Sequence, residues 1–139
     1  MAIKWKQKYS VKVKEIDEQH KELISTMNHL YDVIYHNKKD KSLKSILAEL
    51  VNYAELHFET EEKYFEQFAY ELSEEHKKEH DDFRTKIGDF VKELSSVKDQ
   101  EHERELSFSL IDFLQEWISD HLMEQDQKYV ECFTSHGLS

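Results

Sequence analysis

The chain has 139 residues, no proline, two glycines and one cysteine, and 35% of its residues are charged against 38% hydrophobic. So little proline and glycine argues against strands joined by tight turns, and points to one all-α domain of amphipathic helices with wet outer faces. A formal net charge of -11 argues against nucleic acid or an anionic membrane as partner, since both are polyanions.

No apolar run is long enough to span a bilayer. The opening residues, MAIKWKQKYS, lack the apolar stretch of a signal peptide. Cys132 has no second cysteine to pair with. Cytoplasmic residence without membrane insertion is the expectation.

Residues 1–16 read as an extended arm, with Trp5, Tyr9, Val11, Val13 and Ile16 to pack over the rest. The first helix is expected over about 17–36, with Asp17 as its N-cap. Leu23, Ile24, Met27, Leu30, Tyr31 and Ile34 form its apolar stripe at three- and four-residue steps, and His20 falls on that stripe. His29 and His36 lie at its edge or off it and read as surface residues.

A polar loop at 37–42 leads to a second helix over about 42–66. Leu43, Ile46, Leu47, Leu50, Ala54, Phe58 and Phe65 define its inner face, and His57 and Glu61 continue it. A glutamate on a core face is informative, because a buried carboxylate is costly unless paired or bound to metal. Glu55, Glu59 and Glu62 fall on other faces and read as solvated.

After a break at 67–73, a third helix is expected over 73–96 with Ser73 as N-cap. Phe83, Ile87, Phe90, Val91 and Leu94 form its stripe, and His76 and His80 extend it backwards. A fourth helix is expected over 103–133. It carries Leu106, Leu110, Phe113, Leu114, Trp117 and Ile118, then His121, then Asp126 five residues on. On an ideal helix five residues turn about 140°, so a locally widened turn or side-chain reach must bring His121 and Asp126 together. His102 and His136 sit in polar or terminal segments and read as incidental.

Four helices with short connections imply an up-down-up-down antiparallel four-helix bundle with the arm laid over it. In that topology His20, His57, Glu61, His76, His80, His121 and Asp126 all converge at one end, while the other half of each stripe is apolar. Positions four apart on a helix share a face, so His57 with Glu61 and His76 with His80 each make a two-pronged ligand.

Five imidazoles and two carboxylates exceed the needs of one first-row ion, so two metals are implied. If both carboxylates bridge, the imidazoles split three and two, and one position stays open on the two-histidine metal. Imidazole suits iron, zinc, copper and nickel. A paired site with a vacancy argues for iron and a diatomic ligand. The E-x-x-H repeat of ferritin-like carboxylate oxidases is absent, which favours reversible dioxygen binding over iron oxidation. No H-E-x-x-H, Gly-rich phosphate loop or acid–base constellation stands beside the site, so no enzymatic activity is expected.

The residues W-x-x-x-Y-S-V from Trp5 to Val11, I-D-x-Q-H-K from Ile16 to Lys21, H-F-x-x-E from His57 to Glu61, H-x-x-x-H from His76 to His80 and H-x-x-x-x-D-x-x-Y from His121 to Tyr129 resemble those of the hemerythrin family, in its bacterial single-domain form. The resemblance implies a non-haem di-iron centre with an oxo or hydroxo bridge and dioxygen as its ligand. His76, His80 and His121 would bind one iron and His20 and His57 the other, with Glu61 and Asp126 bridging. It also places Leu23, Phe58, Trp117, Ile118 and Leu122 as an apolar oxygen pocket.

Oxygen carriage, storage or delivery is the leading expectation, by a monomer that would pass oxygen to an unidentified protein recipient. The alternatives are an oxygen or redox sensor, or an enzyme scavenging peroxide or nitric oxide at the same irons.

Overall fold

The computed structural model describes residues 3–36 and 42–139. Four long helices, α1 (Lys14–Tyr35), α2 (Leu43–Gln67), α3 (Ser73–Ser96) and α4 (Gln100–Asp120), form the bundle. Helix α4 does not run on unbroken. It passes into a π-turn at His121–Gln125, a 3-10 turn at Asp126–Tyr129 and a short helix α5 (Val130–Ser135). Helix α1 packs on α2 and α4, and α3 packs on the same two, which closes the bundle into a ring. Among the described residues no helix is long and apolar enough to cross a membrane. All but Ser42 of the loop expected at 37–42 lies outside the described residues.

The arm lies over the bundle as the alternation of valines and lysines predicts. Val11 and Val13 are fully buried while Lys12 between them is exposed and takes a φ of 62°. Helix α1 starts three residues earlier than the sequence suggests, and Asp17 is not its N-cap. Asp17 sits one turn inside, where its carboxylate accepts the Val11 N–H at 2.8 Å and the Ser10 hydroxyl, tying the arm down. Farther back, Asn28 exchanges two hydrogen bonds with the backbone of Ile3. Half-buried Trp5 receives the Lys21 ammonium over its ring, 4.5 Å from the centre.

Other helix ends also differ from expectation. Asp99 caps α4 by accepting the His102 N–H at 2.7 Å, so the helix opens at Gln100 rather than 103. Ser73 is the first residue of α3, and Leu72 precedes it with no side-chain cap. Val91, placed on the inner stripe of α3, is 43% exposed, because the face there turns toward Phe90 and Leu94.

The turn from α2 to α3 lacks glycine. Ala69 takes the left-handed conformation at φ 50°, where the Tyr70 N–H reaches back to Phe65 O at 2.9 Å and the Ala69 N–H to Glu66 O at 3.4 Å. These are the paired bonds of a Schellman C-terminus, normally closed by glycine. The Tyr70 ring then packs 5.0 Å from Phe65 and seals the end of the bundle.

Two apolar clusters result. One fills the length of the bundle, from Leu23, Leu30 and Leu50 to Ile111 and Ile118. The other joins Val11, Val13, Ile16, Phe65, Tyr70, Tyr129 and Phe133 at the end where the arm crosses. The candidate ligands lie between them.

Candidate metal centre

All seven candidate ligand residues are brought together, and none is more than 3% exposed. Their ligand-type atoms form two groups, each within 4.8 Å: Glu61, His76, His80 and His121 in one, and His20, His57, Glu61 and Asp126 in the other. Glu61 is common to both.

The carboxylates are placed between the groups. Asp126 Oδ1 lies 2.8 Å from His76 Nε2 and 3.1 Å from His121 Nε2, while its Oδ2 lies 2.8 Å from His20 Nε2 and 3.1 Å from His57 Nε2. Each oxygen faces one set of imidazoles. Glu61 Oε1 approaches His80 and His57 at 3.0 and 3.2 Å, and His76 and His121 at 3.4 and 3.5 Å.

The π-turn makes this possible. The Asp126 N–H bonds to His121 O, five residues back, so the widened turn carries both side chains inward. Of the two means that the sequence left open, the widened turn is present.

Several inward atoms lack a hydrogen-bond partner: Glu61 Oε2, His76 Nε2, His121 Nε2 and Asp126 Oδ1. The short distances from His76 and His121 to Asp126 are therefore approaches without hydrogen-bond alignment. Buried nitrogens and oxygens that converge without bonding one another fit the donor set of bound cations.

The charge balance agrees. Burial disfavours ionised Asp126 and Glu61, and the Glu61 charge adds to that at Asp126. Even so, the surrounding imidazoles hold both carboxyls well below the usual range, His57 most strongly at Glu61 and His121 at Asp126. Burial likewise opposes a proton on His76, yet its contacts to Asp126 and Glu61 lift it to about 9. Burial is again overcome at His121, lifted to about 10 chiefly by the Asp126 charge. Burial prevails at His20 and His80, which are lowered. The two imidazoles raised above their ordinary value both belong to the three-histidine group.

Two of the apolar residues expected around the site pack on ligand rings. Phe58 stacks on His80 at 4.0 Å and Trp117 on His121 at 4.3 Å. Leu23, Phe58, Ile118 and Leu122 are buried in the main cluster, and half-buried Trp117 packs against it. On the other side Tyr129 is fully buried, with its ring 5.8 Å from His76. Burial first, and then the charges of Asp126 and Glu61, keep its phenol neutral.

Three residues escaped the sequence reading. Glu62, expected to be solvated, is 28% exposed and its Oε2 accepts from His80 Nδ1 at 3.0 Å. Gln19 Oε1 lies 3.2 Å from His57 Nδ1. Glu79 Oε1 stands 3.8 Å from His121 Nδ1, within reach of charge but beyond a hydrogen bond. Helical periodicity puts Glu62 and Gln19 beside a ligand in sequence but off the inner face, so a stripe search passes over them. The available signal was Arg84, one turn after His80, as a counter-ion for acidic residues of α2.

A four-helix bundle whose buried histidine–carboxylate cluster is drawn from α1, α2, α3 and the turns that follow α4 suits a metal centre. The sequence model of the hemerythrin HHE cation binding domain matches residues 11–133, and the chain belongs to that family. It is 33% identical over 132 residues to a bacteriohemerythrin of Clostridium acetobutylicum, covering 91% of this chain and 98% of that one. It is 28% identical over 135 residues to a bacteriohemerythrin of Pseudomonas aeruginosa, covering 97% and 83%. A crystal structure of wild-type hemerythrin superimposes with a TM-score of 0.77 at 23% identity, over 95% of this chain and 98% of that one, and shares its fold.

Proposed function

We propose that the chain binds dioxygen reversibly at a non-haem di-iron centre, for carriage, storage or delivery, and catalyses no reaction. The observation that carries this reading is the donor set: five imidazoles and two carboxylates in two overlapping groups, buried against an apolar wall. The names of the bacteriohemerythrin relatives support it.

His76, His80 and His121 would hold one iron and His20 and His57 the other, with Glu61 and Asp126 shared. The bound iron pair would supply the electrons that let dioxygen be taken up and released. The chain's own part is to hold and to shield. The shared carboxylates fix the two groups of imidazoles at one level. Gln19 donates its amide N–H to Thr60 Oγ1 at 2.9 Å, which turns its oxygen to His57 and keeps the His57 Nδ1 proton on the outer side. The Nε2 lone pair is then free to face the centre. Leu23, Phe58, Trp117, Ile118 and Leu122 keep water from the ligands, which slows irreversible oxidation.

An oxygen-binding isotherm of the reduced, iron-loaded protein tests the proposal. One dioxygen per two irons, recovered on evacuation, is expected. Steady consumption of peroxide or nitric oxide without such recovery would move the assignment to an enzyme.

A further inference from the structure

The outer nitrogens of the histidines meet unequal partners. His80 Nδ1 meets the Glu62 carboxylate at 3.0 Å, and His121 Nδ1 faces the Glu79 carboxylate at 3.8 Å. On the other side His57 Nδ1 meets only the neutral amide of Gln19, and His20 Nδ1 has no hydrogen-bond partner.

Glu62 is also held in place. Arg84 Nη2 donates to its Oε2 at 3.4 Å and to Glu55 Oε2 at 3.2 Å, while Nε donates to Glu55 Oε1 at 2.8 Å and Nη1 to Asp81 Oδ1 at 2.7 Å. The same guanidinium lies over the Phe58 ring at 5.1 Å, and that ring stacks on His80 at 4.0 Å. His80 is thus fixed at its edge by Glu62 and at its face by Phe58, and Arg84 anchors both.

A carboxylate that accepts the outer N–H of a metal-bound imidazole fixes the tautomer and makes the inner nitrogen a stronger donor. An amide oxygen fixes the tautomer but adds no charge. We propose that Glu62, anchored by Arg84, is a positioning residue that makes the three-histidine metal the electron-rich member of the pair. Gln19 leaves the two-histidine metal electron-poor. The chain thereby builds an asymmetry into the centre that the seven ligands alone do not specify. It rests on the reading of the site as a metal centre but not on dioxygen binding.

The test uses Glu62→Gln, which keeps an acceptor oxygen and removes the charge, and Gln19→Glu, which adds a charge on the other side. Three readouts apply. In zinc-loaded protein the His80 Nδ1–H proton resonance should move upfield in Glu62→Gln. Zinc affinity of the metal-free chain should fall by roughly 10–100-fold. The reduction potential of the iron-loaded protein should rise in Glu62→Gln and fall in Gln19→Glu.

A purely structural role predicts instead an unmoved His80 proton, equal zinc affinity, and potentials that shift the same way in both variants. Any of these overturns the proposal. Should Glu62→Gln fail to fold, Gln19→Glu alone decides it, by the sign of its change in potential. A parent chain that binds no zinc and no iron would instead sink the metal-centre reading itself.

Discussion

The backbone N–H of Asp126 bonds to the carbonyl of His121 across a π-turn, and the two side chains reach one cluster from five residues apart. Asp126 also presents one oxygen to each group of histidines. Its loss should therefore cost both metals. Asp126→Ala and Glu61→Ala are each expected to bind well under one iron per chain, against two in the parent, by elemental analysis of folded protein. Two irons retained in either variant would remove that carboxylate from its shared role.

His57→Ala should be milder. It removes one imidazole from the two-histidine group and leaves Glu61, His76, His80 and His121 in place. Near one iron per chain, lost oxygen binding and largely kept helical content by circular dichroism are expected. Full oxygen binding would count against the assignment of His57 as a ligand.

Much of this was legible in the sequence, and the residues show why. His20, His57, His76 and His80 lie on apolar stripes whose period is that of a helix, so periodicity alone placed them inward. The five-residue step from His121 to Asp126 breaks that period, and the π-turn reconciles it. Asp17 looked like a cap because it is acidic and precedes a stripe. It is instead a clamp on the arm, a role set by tertiary contacts with Ser10 and Val11. Glu62 read as solvated because it is off the stripe. Its neighbour His80 comes from another helix, and no pattern within α2 reports that.

The metal-free chain should release protons when it takes up zinc. His76, raised to about 9, and His121, raised to about 10, hold their protons at neutral pH, and both nitrogens are needed by the metal. Roughly two protons per chain are expected near pH 7, declining toward none as pH rises through 9–10, measured with a pH dye in weak buffer.

The same groups set the stability of the metal-free fold. Raised imidazoles stabilise below their ordinary value of 6.5 and cease to do so as pH rises through 9–10. Depressed carboxyls stabilise above their ordinary values of 3.8 and 4.5 and cease to do so as pH falls below them. The lowered imidazoles of His20 and His80 cost stability as pH falls below 6.5, so chemical denaturation of the metal-free chain should show greatest stability near pH 6.5, with losses on both sides. A stability that climbed steadily to pH 10 would contradict the charge balance.

Ala69→Gly should stabilise the protein. The left-handed φ of 50° costs an alanine about 1 kcal/mol that a glycine does not incur. A rise in Tm of roughly 3–5 °C is expected by calorimetry. An unchanged or lower Tm would show that the turn is not strained.

Phe58→Ala should do the opposite. Emptying this fully buried site costs about 3–5 kcal/mol and removes the ring that stacks on His80. Faster conversion of the reduced iron protein to its ferric form in air should accompany the loss. An unaltered oxidation rate would deny Phe58 a shielding role.

One optical cycle decides whether dioxygen binds reversibly. Purified iron-loaded protein is reduced without air, exposed to oxygen, and then deoxygenated. Two irons per chain are expected, with a visible band that appears with oxygen, bleaches on its removal and returns on re-exposure. Immediate conversion to a ferric spectrum that deoxygenation does not reverse would contradict reversible binding and leave the same metal centre with a redox role.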